Sequence, residues 1–256
     1  MANETNELLN EFIDIMLTKY TQEAFDSFPI VNGFKQCPSG DYTDIRKFPG
    51  NCTFGEWSKF GNYSKFGNRN KFGMSCSFGE WSKFDIYCSF GCYCNFGKHC
   101  AFGRRCDFME YCSFSGNGTF DKYCVFKSRC SFGEWCSFKS CNFSSDCVFG
   151  EHNYFEKYCT FGEDSRFGNQ CIFIGLCICE FGVFDKMVLC SGFGRAYRTT
   201  YFFHLNNGDI FVRCGCFSGS LEEWKRKVKV THKGKTLKKA YLSLIPSVKA
   251  QFKYDY

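Results

Sequence analysis

The sequence predicts a mainly β fold: a single-chain parallel β-helix, or solenoid, of about seven coils, with an N-terminal capping helix and a small C-terminal α+β module. Three observations carry this expectation. Phenylalanine recurs every sixth residue from Phe48 to Phe138, and after one dropped residue the beat resumes from Phe143 to Phe173, giving twenty-two units. The residue two before each phenylalanine is Cys, Ser, Asn or Gly in every unit but the first, and the residue after it is often Gly. Composition and charge change on both sides of this block.

Residues 1–47 form the N-terminal part. Within them, residues 4–26 read as an amphipathic helix, with Leu9, Phe12, Ile13, Met16 and Tyr20 on one stripe and Glu4, Glu7, Glu11 and Asp14 elsewhere. An acidic polar face suits a cap on the first coil better than an anionic bilayer, so no membrane contact is expected.

Residues 48–185 form the solenoid. A small and a large residue at spacing two lie on one side of an extended chain, so both face inward and the residue between them faces out. The following glycine is expected at a corner, using its freedom at positive φ. With three units per coil, residues eighteen apart stack, and phenylalanines at a rise of roughly 4.8 Å pack as offset rings. A coil cannot bury its own faces, so both ends need covers.

Residues 186–256 form the C-terminal module. Thr199–Leu205 and Asp209–Cys216 around Asn206-Asn207-Gly208 read as a β-hairpin. Ser220-Leu221-Glu222-Glu223 has capping-box spacing and starts a helix with Leu221, Trp224 and Val228 on one face. Lys238 to Ile245 reads as a second short helix that ends near Pro246.

The unit Phe54-Gly55-Glu56-Trp57-Ser58-Lys59 resembles the hexapeptide repeat of left-handed parallel β-helices, with Phe in place of the large aliphatic residue. Pentapeptide-repeat proteins are the rival likeness, but their period of five occurs here only from Phe138 to Phe143. The wording from Tyr201-Phe202-Phe203 through Arg213-Cys214-Gly215-Cys216-Phe217 resembles the end of prophage-associated proteins of unassigned function. That likeness implies a phage or prophage product in which a compact binder occupies a host enzyme, a defence nuclease included.

Charge follows the same boundaries. The first region carries four basic and eight acidic side chains, the second fourteen of each, and the third fourteen basic against four acidic. Lys225, Arg226, Lys227 and Lys229 begin the densest basic run, a patch suited to phosphates or an acidic protein surface, so the module is a candidate nucleic-acid contact.

Fourteen of the twenty-one cysteines occupy the small position, where Ser, Asn or Gly replaces them, so they read as buried filler. The start Met1-Ala2-Asn3-Glu4 lacks a signal peptide, and reduced thiols in a cytoplasmic protein are expected. No Cys-x-x-Cys occurs, and the close pairs Cys92/Cys94, Cys177/Cys179 and Cys214/Cys216 do not make a zinc set, so no metal and no cofactor is assigned.

Many hexapeptide-repeat enzymes are trimeric acyltransferases with a histidine base at a subunit cleft. That resemblance makes an acyltransferase using His99 or His152 the alternative to a binding protein. These histidines sit at outward positions of ordinary units, no long loop interrupts the coils, and no catalytic residue is assigned.

The outward position three after each phenylalanine is rich in the residues of binding hot spots. One edge carries Trp57, Tyr93, Tyr111 and Arg129, a second Tyr63, Trp81, His99 and Trp135, and a third alternates Arg69, Tyr87, Arg105 and Tyr123. The function expected is a non-enzymatic scaffold that binds a host protein or nucleoprotein through these edges and the basic module, with assembly into a homo-oligomer, a dimer or trimer, compatible with that role. A structural subunit of a particle or filament is a further alternative, since exposed coil ends permit stacking.

Overall fold

The structure is a computed structural model that describes residues 17–193, 198–232 and 234–253. The chain divides into two compact units, Met1–Tyr154 with Cys159–Cys171, and Phe155–Tyr158 with Ile172–Tyr256.

The first unit is a parallel β-solenoid. Each hexad makes a two- or three-residue strand ending at or just past its phenylalanine, and strands eighteen residues apart pair in parallel and in register, as in Lys83 with Ala101 and Phe84 with Phe102. One face stacks eight strands, from Asp41–Tyr42 to Arg166–Phe167, so the coils number eight. The extra coil precedes the regular beat: Phe34–Cys37 pairs with Cys52–Phe54, and Tyr42 occupies a phenylalanine position opposite Phe60.

Three rings per coil fit because they adopt two geometries. Between coils the rings lie nearly parallel, as in Phe66 over Phe84 with centroids 4.7 Å apart. Within a coil they meet edge to face, as in Phe60 against Phe66 at 5.0 Å and 86°. Both arrangements set the positive edge of one ring against the negative face of another, or offset the faces, so the interior is dense without face-to-face repulsion.

The small position carries a buried donor as well as a small volume. Cys88 donates its thiol to the carbonyl of Gly67 one coil back, and Cys112 does the same to Gly91. Ser64 donates to the carbonyl of Gly61 within its own coil. Asn70 donates to the carbonyls of Pro49 and Gly67 while its side-chain oxygen accepts from the Cys52 amide. Cys, Ser and Asn therefore exchange because each meets a corner carbonyl. Burial pushes the Cys100 thiol up to about 12 and the Cys136 thiol up to about 11, which keeps both protonated at neutral pH.

The corners differ from the expectation. The glycines after the repeat phenylalanines do not take positive φ; the residue three after the phenylalanine does, with φ between 52° and 67° from Trp57 to Gln170. Glycine is needed instead for close approach, since a Cβ on Gly73 would lie 2.6 Å from the Glu56 backbone nitrogen one coil back. The dropped residue between Phe138 and Phe143 is absorbed at one corner. There the positive-φ residue, Ser140, comes two after the phenylalanine, and Phe126 still pairs with Phe143.

Most of the helix expected over residues 4–26, with Leu9, Phe12, Ile13 and Met16, lies outside the described residues. From residue 17 the chain is extended, with Lys19 bridged to Asp41, and only Gln22–Ser27 is helical, capped by Thr21. Tyr20 is thus not on a helix and stacks on Tyr42. Phe25 closes the first coil, being 1% exposed and set edge-on to Phe48 and near-parallel to Phe54.

The second unit builds an antiparallel meander from Cys177–Cys179, Gly182–Phe193, Arg198–Leu205, Ile210–Cys214 and Phe217–Ser220. The hairpin turn has Gly208 at φ 86°, with the Asp209 amide donating to the Asn207 side chain. Ser220 and Glu223 form the reciprocal capping box of the helix Leu221–Thr231. The last helix is longer than its proline suggests: it spans Lys235–Lys253 and passes through Pro246. Its apolar face, with Tyr241, Leu244, Val248 and Phe252, joins Phe202, Val212, Trp224 and Val228 in one core. Burial of that face outweighs the amide hydrogen bond that proline removes. Among the described residues no helix is long and apolar enough to cross a membrane.

Candidate functional site: side-chain ladders at the coil corners

Most corner residues donate their backbone amide to a carbonyl one coil on, as Tyr63 does to Glu80 and Tyr93 to Glu110. That bond and the positive φ hold the side chain outward, directly above its equivalent in the neighbouring coil. A left-handed backbone disfavours a residue with a Cβ by about 1 to 2 kcal/mol, and Asn, Asp and Gly meet it best. The corners nonetheless carry Trp, Tyr, Arg and His in most coils.

These side chains occupy one another. On the second edge Tyr63 and Trp81 lie parallel with centroids 6.3 Å apart, Trp81 stacks on His99 at 4.0 Å, and Trp135 stacks on His152 at 4.1 Å. On the first, Tyr93 stacks on Tyr111 at 4.8 Å, and Arg129 donates to the Tyr111 hydroxyl while also lying 3.8 Å from Asp146. On the third, the Arg105 guanidinium sits over both Tyr87 and Tyr123 and donates to the Tyr87 hydroxyl at 2.7 Å.

The sites expected from the sequence therefore separate into groups. Tyr87, Arg105 and Tyr123 come together as one cation and ring cluster. Trp81 and Trp135 each stack on a histidine, so His99 and His152 present ring edges. Trp57 is half-buried, and its neighbour one coil on is Ser75, which offers it no ring. Arg69 stands exposed beside a cavity of about 250 Å³ that it lines with Asn51, Asn68 and Tyr87.

In the module, Lys225 is engaged by Glu222, whose carboxyl it holds below the usual range, while Arg226, Lys227 and Lys229 are exposed along the helix Leu221–Thr231. The same unit holds a cavity of about 440 Å³ lined by His204, Lys249 and Phe252, among others; His204 Nδ1 lies 2.8 Å from Asp185. Among the described residues no group of three or more His, Cys, Asp or Glu is placed to hold a metal ion.

One feature escaped the sequence reading. Lys47, Lys65 and Lys83 stand in register on one face of three successive coils. Their signal was a lysine before Phe48, Phe66 and Phe84, visible once the outward residue of the strand is read at spacing eighteen.

Compared with known proteins, the chain matches no protein-family model, and no curated protein and no solved structure shows significant similarity to it.

Proposed function

We propose that the protein is a non-enzymatic scaffold that binds a macromolecule, a host protein or nucleoprotein, through the solenoid corners, with the basic helix Leu221–Thr231 as a second contact. The observation that carries this reading is the choice of side chain at the corners. Bulky Trp, Tyr and Arg are retained where the backbone favours Asn or Gly, and they form rigid exposed ladders of the residues that anchor interfaces. Ladders fixed before binding lose little side-chain freedom when a partner arrives.

We read the repeat as a Phe-rich variant of the hexapeptide type, because three hexads close a coil in all but one coil of the regular block. The wording of the C-terminal module supports a phage or prophage setting, with the protein in the host cytoplasm occupying a defence or nucleic-acid enzyme. His99 and His152 stack on Trp81 and Trp135 at ordinary corners, and no long loop interrupts the repeat to wall a cleft, which favours the scaffold over an acyltransferase.

Quantitative capture from host lysate tests the reading. The parent chain is expected to retain a defined partner that the double variant Arg69→Glu/Arg105→Glu loses. Equal recovery by both would remove the third edge as the site.

A further inference from the structure

We infer that the face carrying Lys47, Lys65 and Lys83 binds single-stranded nucleic acid, with phosphates on the lysine row and bases against the aromatic corners beside it. This rests on the scaffold reading and adds to its corners a lysine row that reading does not use.

The three lysines pair residue for residue in adjacent parallel strands, so their Cα atoms repeat at the strand spacing of about 4.8 Å. All three are exposed, and their ammonium groups have no ion pair or hydrogen bond among the described residues. Several other cations on the solenoid are engaged: Lys71 lies over the Phe34 ring, Arg104 lies 3.8 Å from Asp121, and Lys59 stands in register with Asp41. Like charges in register repel one another. Nor does the fold require them, because the same position in the next three coils is Ala101, Thr119 and Ser137. An unpaired cationic row that the fold does not need is what an anionic chain would neutralise, with release of its counterions.

The flanks select the kind of anion. Tyr63 and Trp81 stand two residues before Lys65 and Lys83, are 61% and 43% exposed, and are the most widely spaced ring pair of the corner ladders. On the other flank Arg69, whose guanidinium has no partner among the described residues, opens with Tyr87 onto the cavity described above. Planar groups on both sides of a cation row match a strand with unpaired bases, whereas a duplex hides its bases and an acidic peptide or sulfated glycan has none. Asp85, beside Asn68, is an acidic group at one edge of this face.

The test is fluorescence anisotropy of the full chain with a labelled oligothymidylate of about a dozen nucleotides, across a salt series. The triple variant Lys47→Thr/Lys65→Thr/Lys83→Ser uses residue types that the fold already accepts there, and unchanged circular dichroism would confirm its folding. Binding is expected to weaken at least tenfold, with the salt slope reduced by about 2. Trp81→Ala is expected to weaken it further, and the module variant Arg226→Ala/Lys227→Ala/Lys229→Ala to leave that slope change intact. Binding by the triple variant equal to the parent, or loss confined to the module variant, would overturn the assignment. Heparin binding as tightly as the oligonucleotide, with Trp81→Ala without effect, would overturn it in favour of a bare polyanion site. Retained lysate capture by the triple variant would leave the scaffold reading standing alone.

Discussion

The solenoid and the C-terminal module solve the same problem of burial by opposite means. In the solenoid every coil repeats one solution, so Phe96 meets Phe78 at 4.8 Å and Phe114 at 4.7 Å much as Phe84 meets Phe66 and Phe102. In the module Trp224 meets Phe202 edge-on and Tyr241 edge-on, and among the described residues that arrangement is not repeated there. Repetition makes coil positions interchangeable, which frees the outward residues to vary. A core built once leaves variation only to its exposed helical faces, where Arg226, Lys227 and Lys229 lie.

Interchangeability is most directly broken in the interior. Phe96→Ala is expected to cost about 3 to 5 kcal/mol in chemical denaturation, because the stack cannot collapse around the lost ring. Phe84→Ala and Phe108→Ala should cost nearly the same. Widely unequal costs among these three would show that coils are not equivalent.

The thiols offer a collective version of the same test. Burial raises Cys100, Cys136 and Cys147 from the ordinary 9.0 to about 12, 11 and 12. The folded state therefore holds these protons more tightly than the unfolded chain. The stability this contributes is complete below pH 9, and it is lost as pH rises through about 11 to 12. Denaturation midpoints measured under reducing conditions from pH 7 to 11 should fall steeply above 9, and Cys100→Ser/Cys136→Ser should flatten the fall. A midpoint that does not move would mean that the thiols ionise as freely in the coil as outside it.

Glycine separates the two regions by mechanism. Gly73→Ala is expected to destabilise by about 1 to 3 kcal/mol through overpacking against the neighbouring coil, and Gly73→Asn to be no better. Gly208→Ala meets nothing within 4 Å but must hold φ at 86°, costing about 1 to 2 kcal/mol, and there Asn should recover most of the loss. Rescue of Gly73 by Asn in thermal melts would assign it to the dihedral class.

This distinction also explains what the sequence could and could not disclose. The beat of six, the stacking distance of eighteen, the hairpin and the capping box were legible because each is a local pattern with one physical cause. A glycine after phenylalanine has two possible causes, positive φ or close approach, and the second depends on a coil eighteen residues away. The helix through Pro246 was misread for a similar reason, since the burial that carries it past proline lies on the strands bearing Phe202 and Val212. The corner residues were identified by position, but their mutual stacking was not, because it needs the ring orientations. Lys47, Lys65 and Lys83 form a row only across coils, so their alignment shows in the sequence at spacing eighteen and not within any one hexad.

The smallest expected effect is the most informative about purpose. Arg69 holds φ at 59°, and among the described residues its side chain gains no ring contact, hydrogen bond or ion pair in return. Replacing it by Asn, which adopts that backbone more readily, should raise stability by about 0.5 to 1 kcal/mol, read as a higher midpoint in urea. Arg105→Asn should not gain in the same way, because it forfeits the bond to Tyr87 and the contacts with two rings. A residue whose removal helps the fold is held there by something outside the fold. If Arg69→Asn instead lowers the midpoint, the arginine stabilises its own coil, and the corner ladders are explained by packing alone.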